Sequence, residues 1–154
     1  MDAAAISLQV IGDRLPDGFP DLLADSVADG HAFIDRLQAE WVSGQNRFDA
    51  PGERLVAADM AGRLAGIGGL NIDPYVSGPR SGRIRHLYVH RSLRRRGIAE
   101  AILANLIAHA GDNFDLLSLR TANPAADLFY CRAGFARVGD NAFVTHRLRL
   151  VALP

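Results

Sequence analysis

The sequence predicts a mixed α/β fold (α+β mixed), and three observations carry that prediction. The apolar period switches along the chain between helical spacing and β-branched runs that alternate or stay apolar throughout. Turn-forming residues punctuate the switches at 13–18, 46–52, 73–82 and 139–141. The order that results is β-α-α-β-β-β-α-β-α-β-β, without an internal repeat, linker or low-complexity tract, so residues 1–154 read as one domain.

The elements follow in order. Residues 6–11 alternate weakly and form an opening strand, β1. From 19 to 42 the spacing is helical, with Leu22, Leu23, Val27, Phe33, Ile34, Leu37 and Trp41 on interrupted apolar stripes; Asp29-Gly30 breaks them into α1 and α2. Residues 54–59 and 63–72 read as β2 and β3, a hairpin closed by Met60-Ala61-Gly62. After the loop at 73–82, with Pro74, Gly78, Pro79 and Gly82, residues 83–89 give β4. The helix α3 runs from about 96 to 110 on a face of Ala99, Ile102, Leu103, Leu106 and Ile107, with Gly111 as the residue beyond its end. A short apolar strand, β5, covers 115–120. Asn123 then caps α4, Pro124 takes its first position, and Gly134 ends it. Residues 135–138 and 142–150 close the sheet as β6 and β7 around Gly139-Asp140-Asn141.

The stretch from Ile84 to Ala99, Ile-Arg-His-Leu-Tyr-Val-His-Arg-Ser-Leu-Arg-Arg-Arg-Gly-Ile-Ala, carries the chemistry. A strand runs through a short basic turn into a helix whose first turn holds Gly97 and Ala99. Free N–H groups and the dipole at a helix start favour an anion there. Small residues let oxygen atoms approach the backbone, and arginine adds fork-shaped donors. On charge alone the arginine triplet reads as a solvated turn; its place between strand and helix favours phosphate.

The spacing Arg94-x-x-Gly97-x-Ala99 after Leu87-Tyr88-Val89 resembles the acetyl-CoA signature of the GCN5-related N-acetyltransferases (GNAT), and the element order resembles that family from end to end. The resemblance implies a GNAT-like acyl-CoA acyltransferase fold, its mixed sheet splayed between β4 and β5, with acetyl-CoA as cosubstrate. It places the diphosphate on Arg94, Arg95, Arg96, Gly97, Ile98 and Ala99, and the pantetheine arm along the main chain of Leu87, Tyr88 and Val89, where it adds like a strand. It also implies an acetyl transfer to a primary amine of a small molecule or peptide by direct attack in a ternary complex. A non-catalytic acyl-CoA sensor on the same fold is the alternative.

Two residues are expected to do the proton chemistry. Tyr130, in Leu-Phe-Tyr-Cys-Arg-Ala-Gly-Phe, resembles the family's tyrosine that approaches the CoA sulfur and protonates the departing thiolate; its alternative is an ordinary core aromatic. The three glutamates, Glu40, Glu53 and Glu100, all lie off β4, so His86 is the nearest candidate base, with a strand histidine's structural role as the competing reading. Asn123 is expected to contact the cofactor, to cap its helix, or both. The substrate is expected between the first two helices and the 73–82 loop, near Phe33, Trp41, Tyr75 and the acidic Asp29, Asp35 and Asp73.

Other classes are disfavoured. Seventeen basic residues, all arginine, balance seventeen acidic ones, which argues against nucleic acid as a partner. No apolar run is long enough to span a membrane, and the first five residues lack a secretion pattern. One cysteine excludes an internal disulfide, so a reducing cytoplasm is the expected setting. Cys131 lacks an evident histidine partner motif, and His31, His90, His109 and His146 show no metal-ligand spacing, so no metal is expected. A homodimer is compatible with the sequence.

Overall fold

A computed structural model describes residues 5–76, 80–139 and 141–150. Gly78, Pro79 and Asp140, which the sequence reading placed in turns, lie outside the described residues, as do residues 1–4 of the N-terminal stretch.

The element order is β1 (Ile6–Val10), α1 (Phe19–Ala28), α2 (Phe33–Ser43), β2 (Arg54–Met60), β3 (Arg63–Ile72), β4 (Ser81–Val89), α3 (Ile98–Gly111), β5 (Leu116–Leu119), α4 (Pro124–Arg132), β6 (Ala136–Arg137) and β7 (His146–Arg149). The strands form one mixed sheet in the order β1-β2-β3-β4-β5-β7-β6, with β4 and β5 its parallel pair. Each expected element is present. The boundaries that moved did so for local reasons. β4 starts two residues early, because Ser81 and Gly82 already pair with β5. The basic turn holds a single 3₁₀ turn, Arg91–Leu93, so α3 starts at Ile98 rather than 96. Gly111 is the last helical residue, not the one beyond. β7 starts at His146 rather than 142.

Two cores flank the sheet. On one face α3 packs Ile98, Ile102, Leu103 and Leu106 against Val56, Leu70, Ile84 and Leu117. On the other, α1 and α2 bring Phe19, Leu22, Ile34, Leu37 and Trp41 onto Leu55, Ile67 and Tyr88. The glycine-rich run in β3 is what lets both layers close. A Cβ at Gly68 would stand 2.7 Å from Ile102, and one at Gly69 only 2.5 Å from Phe48. Both distances lie inside van der Waals contact, so neither neighbour could keep its place.

The consequence that matters for a site lies at β4. Its nine residues pair with β5 only through Ser81, Gly82 and Arg83; beyond Arg83 the edge of β4 has no strand beside it among the described residues. β5 ends at Leu119 and pairs instead with β7. The sheet therefore forks after Arg83, as the expected splay requires.

Candidate active site

The free edge of β4 is bent as well as exposed. Opposite β3, Ile67 pairs with Tyr88 and Gly69 with Arg85, so Gly68 faces two residues, His86 and Leu87. This is a β-bulge, and His86 takes up the extra length with a left-handed φ of 60°. A non-glycine residue there carries strain of roughly 1–3 kcal/mol, a cost met at ligand sites more often than elsewhere. The bulge also resets the side-chain alternation. Arg85 and His86 both face the layer of α1 and α2, whereas Leu87 faces α3.

His86 departs from its sequence-based expectation. It is buried between Phe33 and Phe48, and neither ring nitrogen has a hydrogen-bond partner. Burial, aided by the field of Arg85, pushes its pKa down to about 3, although the Phe33 main chain favours the proton slightly. The near-neutral base expected from an unperturbed imidazole is thus corrected: His86 is neutral at physiological pH and a weak proton acceptor.

From Val89 the chain enters the basic turn. Arg95 (φ 65°) and Gly97 (φ 80°) are both left-handed, and Gly97 caps α3 without any side-chain bond to the helix amides. The first-turn N–H groups of α3 are therefore open to a ligand. A Cβ built on Gly97 would meet nothing within 4 Å, so the space before the helix is clear of protein. These features fit a diphosphate: open amides, a positive dipole end and room for oxygen atoms. Arg95 and Arg96 are exposed and have no ion-pair partner among the described residues, whereas Ile98 is buried and offers only its main chain.

Arg94 sits differently. Its Nη2 donates to Asp29 (2.7 Å), its Nε to the Val89 carbonyl (3.1 Å), and its guanidinium lies 5.4 Å from the Tyr88 ring centre. The Arg94 side chain thus braces the turn against α1, and the Val89 carbonyl is already occupied. A second brace, invisible in the sequence, lies beside it. Asp25 of α1 accepts from the Tyr88 hydroxyl (2.6 Å), the Arg91 amide (3.0 Å) and Arg91 Nε (3.0 Å). Burial opposes its charge, but the bonds from Tyr88 and Arg91, with His90 nearby, outweigh that and hold its pKa at about 2. Burial and the Asp25 carboxylate in turn push the Tyr88 phenol up.

Tyr130 lies on α4 with its ring buried against Phe129, Phe135 and His146. Burial pushes its phenol up, so it stays protonated, and no described residue hydrogen-bonds its hydroxyl. Asn123 caps α4 as expected, its Oδ1 accepting from Ala125 (2.8 Å) and Ala126 (3.3 Å). Beside it opens a cleft of about 430 Å³ that Asp127 and His146 also line. Asp127 is bound by Arg137 (2.9 Å twice) and by His146 Nε2 (2.7 Å), which hold its carboxyl far below the usual range. Candidate ligand atoms of Asp127, Cys131 and His146 come within 4.8 Å of one another, though Asp127 already has its charge compensated by Arg137.

With this geometry in place, the comparisons with known proteins decide the family. The acetyltransferase (GNAT) domain profile matches residues 21–153. The chain is a member of the GNAT acetyltransferase family. Its fold supports acyl transfer, and members generally use acetyl-CoA and act on small-molecule or peptide acceptors. Among solved structures, a proposed acetyltransferase from Exiguobacterium sp. 255-15 superposes with a TM-score of 0.84 at 27% identity, covering 94% of this chain and 93% of that one. A proposed GNAT-family acetyltransferase from Desulfovibrio desulfuricans gives 0.75 at 20% identity (96% and 100% covered). An N-acetyltransferase from Staphylococcus aureus Mu50 gives 0.70 at 17% identity (96% and 100% covered). Among curated proteins no significant match was found. No helix among the described residues is long and apolar enough to cross a membrane.

Proposed function

We propose that residues 1–154 act as one acetyl-CoA-dependent N-acetyltransferase domain, moving an acetyl group to a primary amine of a small molecule or peptide in a ternary complex. One observation carries this reading: the unpaired, bulged edge of β4 leads through the basic turn to the start of α3 behind Gly97, whose first amides no side chain caps. In this reading the amides of Gly97, Ile98 and Ala99 hold the diphosphate, with Arg95 and Arg96 adding charge from solvent. The main chain of Leu87 and Tyr88, with the Val89 amide, holds the pantetheine arm. Arg94 contributes its main chain and fixes the turn.

The acetyl thioester supplies an electrophilic carbonyl and a thiolate leaving group. The protein supplies position and protons. The β4 bulge breaks the ladder to β3 and frees main-chain donors where charge develops on the carbonyl oxygen. Tyr130, held protonated, donates from its hydroxyl to the departing sulfur. His86 stays neutral and offers an acceptor nitrogen that orients the incoming amine; the amine loses its proton to water rather than to this imidazole. Asn123 shapes the start of α4 beside Tyr130. We place the protein in the cytoplasm, where acetyl-CoA is available.

The test is an amine panel incubated with acetyl-CoA while free thiol is followed. Amine-dependent thiol release supports the reading. Protection from heat by CoA with no release on any amine would replace it with the acyl-CoA sensor.

A further inference from the structure

The fork in the sheet carries a second set of side chains that the transfer step leaves unused. Arg83 is the last β4 residue paired with β5, opposite Ser118, and Ser118 is paired in turn with Arg147 of β7. Directly paired residues share a face, so Arg83, Ser118 and Arg147 stand in one row across three strands. The alternate residues Leu117 and Leu119 fill the core under α3. The row therefore faces the side of α2, where Arg85, two residues along β4, reaches Glu40 at 3.8 Å. That is the side on which the amine is expected to enter.

Every member of the row has a buried polar atom without a partner: Arg83 Nη1, Ser118 Oγ and Arg147 Nε, with Ser81 Oγ alongside. Arg83 is 7% exposed and Ser118 fully buried. Arg83 is also held rigidly. Its Nη2 donates to the Phe143 carbonyl (2.8 Å), and its guanidinium lies 4.8 Å from the centre of the Tyr75 ring, itself stacked on Phe143. Buried donors are rarely left open in this way, so three in one row are a departure that a ligand would remove. Two guanidinium N–H groups and a hydroxyl on one row of the sheet complement the two oxygens of a carboxylate. The carboxylate of Asp73, whose field bears on Arg83 and whose Oδ2 is also unpartnered, disfavours a doubly charged phosphate more than a singly charged carboxylate.

On the N-acetyltransferase reading above, we infer that the acceptor is an amine that also carries a carboxylate, seated on the Arg83–Ser118–Arg147 row while its amine reaches the β4 bulge. The row and His86 lie three residues apart on β4, roughly 10 Å of extended chain. The spacing suits an acceptor whose amine and carboxylate are separated by several bonds.

The experiment compares 4-aminobutyrate and 5-aminopentanoate with their primary amides and with 3-aminopropylphosphonate, using the full chain and acetyl-CoA. Because two charge-assisted bonds are at stake, kcat/KM should favour the acids over the amides by about ten- to a hundredfold. In Arg147→Gln and Ser118→Ala the ratio should fall towards one; Arg147 is only half-buried, so this variant is informative even if Arg83→Gln fails to fold. Amides used as well as acids would overturn the inference while leaving the N-acetyltransferase reading intact. Preference for the phosphonate would overturn the carboxylate assignment. If no amine is acetylated, calorimetric titration with 4-aminobutyrate decides: saturable binding lost in Arg147→Gln upholds the site without the enzyme, and no binding overturns it.

Discussion

Gly97→Glu separates ligand binding from folding more cleanly than any other single change. The position is exposed and left-handed (φ 80°), and a Cβ there meets no atom within 4 Å. The folded protein therefore loses only the strain of a non-glycine residue in that region, about 1–2 kcal/mol. For a domain of this size each kcal/mol lowers Tm by roughly 2–4 °C, so a drop of about 2–8 °C is expected. CoA binds only the folded state; at a hundred times its Kd it stabilises by about 2.7 kcal/mol, a rise of roughly 5–11 °C in the native chain. In Gly97→Glu the side chain fills the space before α3 and places a negative charge at the open amides, so the CoA-induced rise should vanish. Gly97→Ala, with the same strain and no charge, should keep part of it. Scanning fluorimetry with and without CoA reads all three proteins. A folded Gly97→Glu protein with the full CoA-induced rise would refute the placement of the diphosphate.

Three further outcomes follow from other residues. Tyr130→Phe keeps the buried ring, so it should lower turnover by about a hundredfold, towards the lower end for a general acid because a thiolate leaves readily, with acetyl-CoA affinity nearly unchanged; single-turnover kinetics check this. Arg95→Ala and Arg96→Ala should weaken CoA more at low salt than at high, because both side chains are exposed, whereas Arg94→Ala should also lower Tm through loss of its bond to Asp29; calorimetry at two ionic strengths, with thermal melts, separates them. Asp25 titrates near 2 when folded and near 3.8 when free, so its stabilisation is complete above about pH 5 and fades as pH falls through 2. Allowing for the exposed Arg91, that is about 1–2 kcal/mol, and Asp25→Asn should flatten the acid limb of stability measured by urea unfolding from pH 6 to 2.5.

Local pattern made the elements legible. Asn123-Pro124 announced α4 through cap chemistry, and the Met60-Ala61-Gly62 turn announced the β2–β3 hairpin, where Ala61 (φ 54°) and Gly62 (φ 74°) are both left-handed. The Gly97 turn was legible for the same reason, since a left-handed residue before a helix leaves a glycine in the sequence. What stayed hidden depends on pairing across long separations. The bulge at His86 is a mismatch of register between two strands, and a histidine, although it tolerates a left-handed conformation better than most residues, does not mark one in a sequence as glycine does. Asp25 meets Tyr88 across 63 residues, and Asp127 meets His146 across 19, with nothing in either neighbourhood to signal a partner. The same distance hid the row of Arg83, Ser118 and Arg147. Each looks like an ordinary polar residue on its own strand, and only the sheet order puts them side by side.

The central claim is that the acetyl group passes to an amine held in the fork of the sheet, without a stop on the protein. Mass spectrometry of a reaction with isotopically labelled acetyl-CoA and an acceptor amine tests it directly. Label is expected on the amine nitrogen and none on the protein, Cys131 included, at any time during turnover. Label on Cys131 that is chased onto the amine, or CoA release with the amine left unmodified, would contradict it.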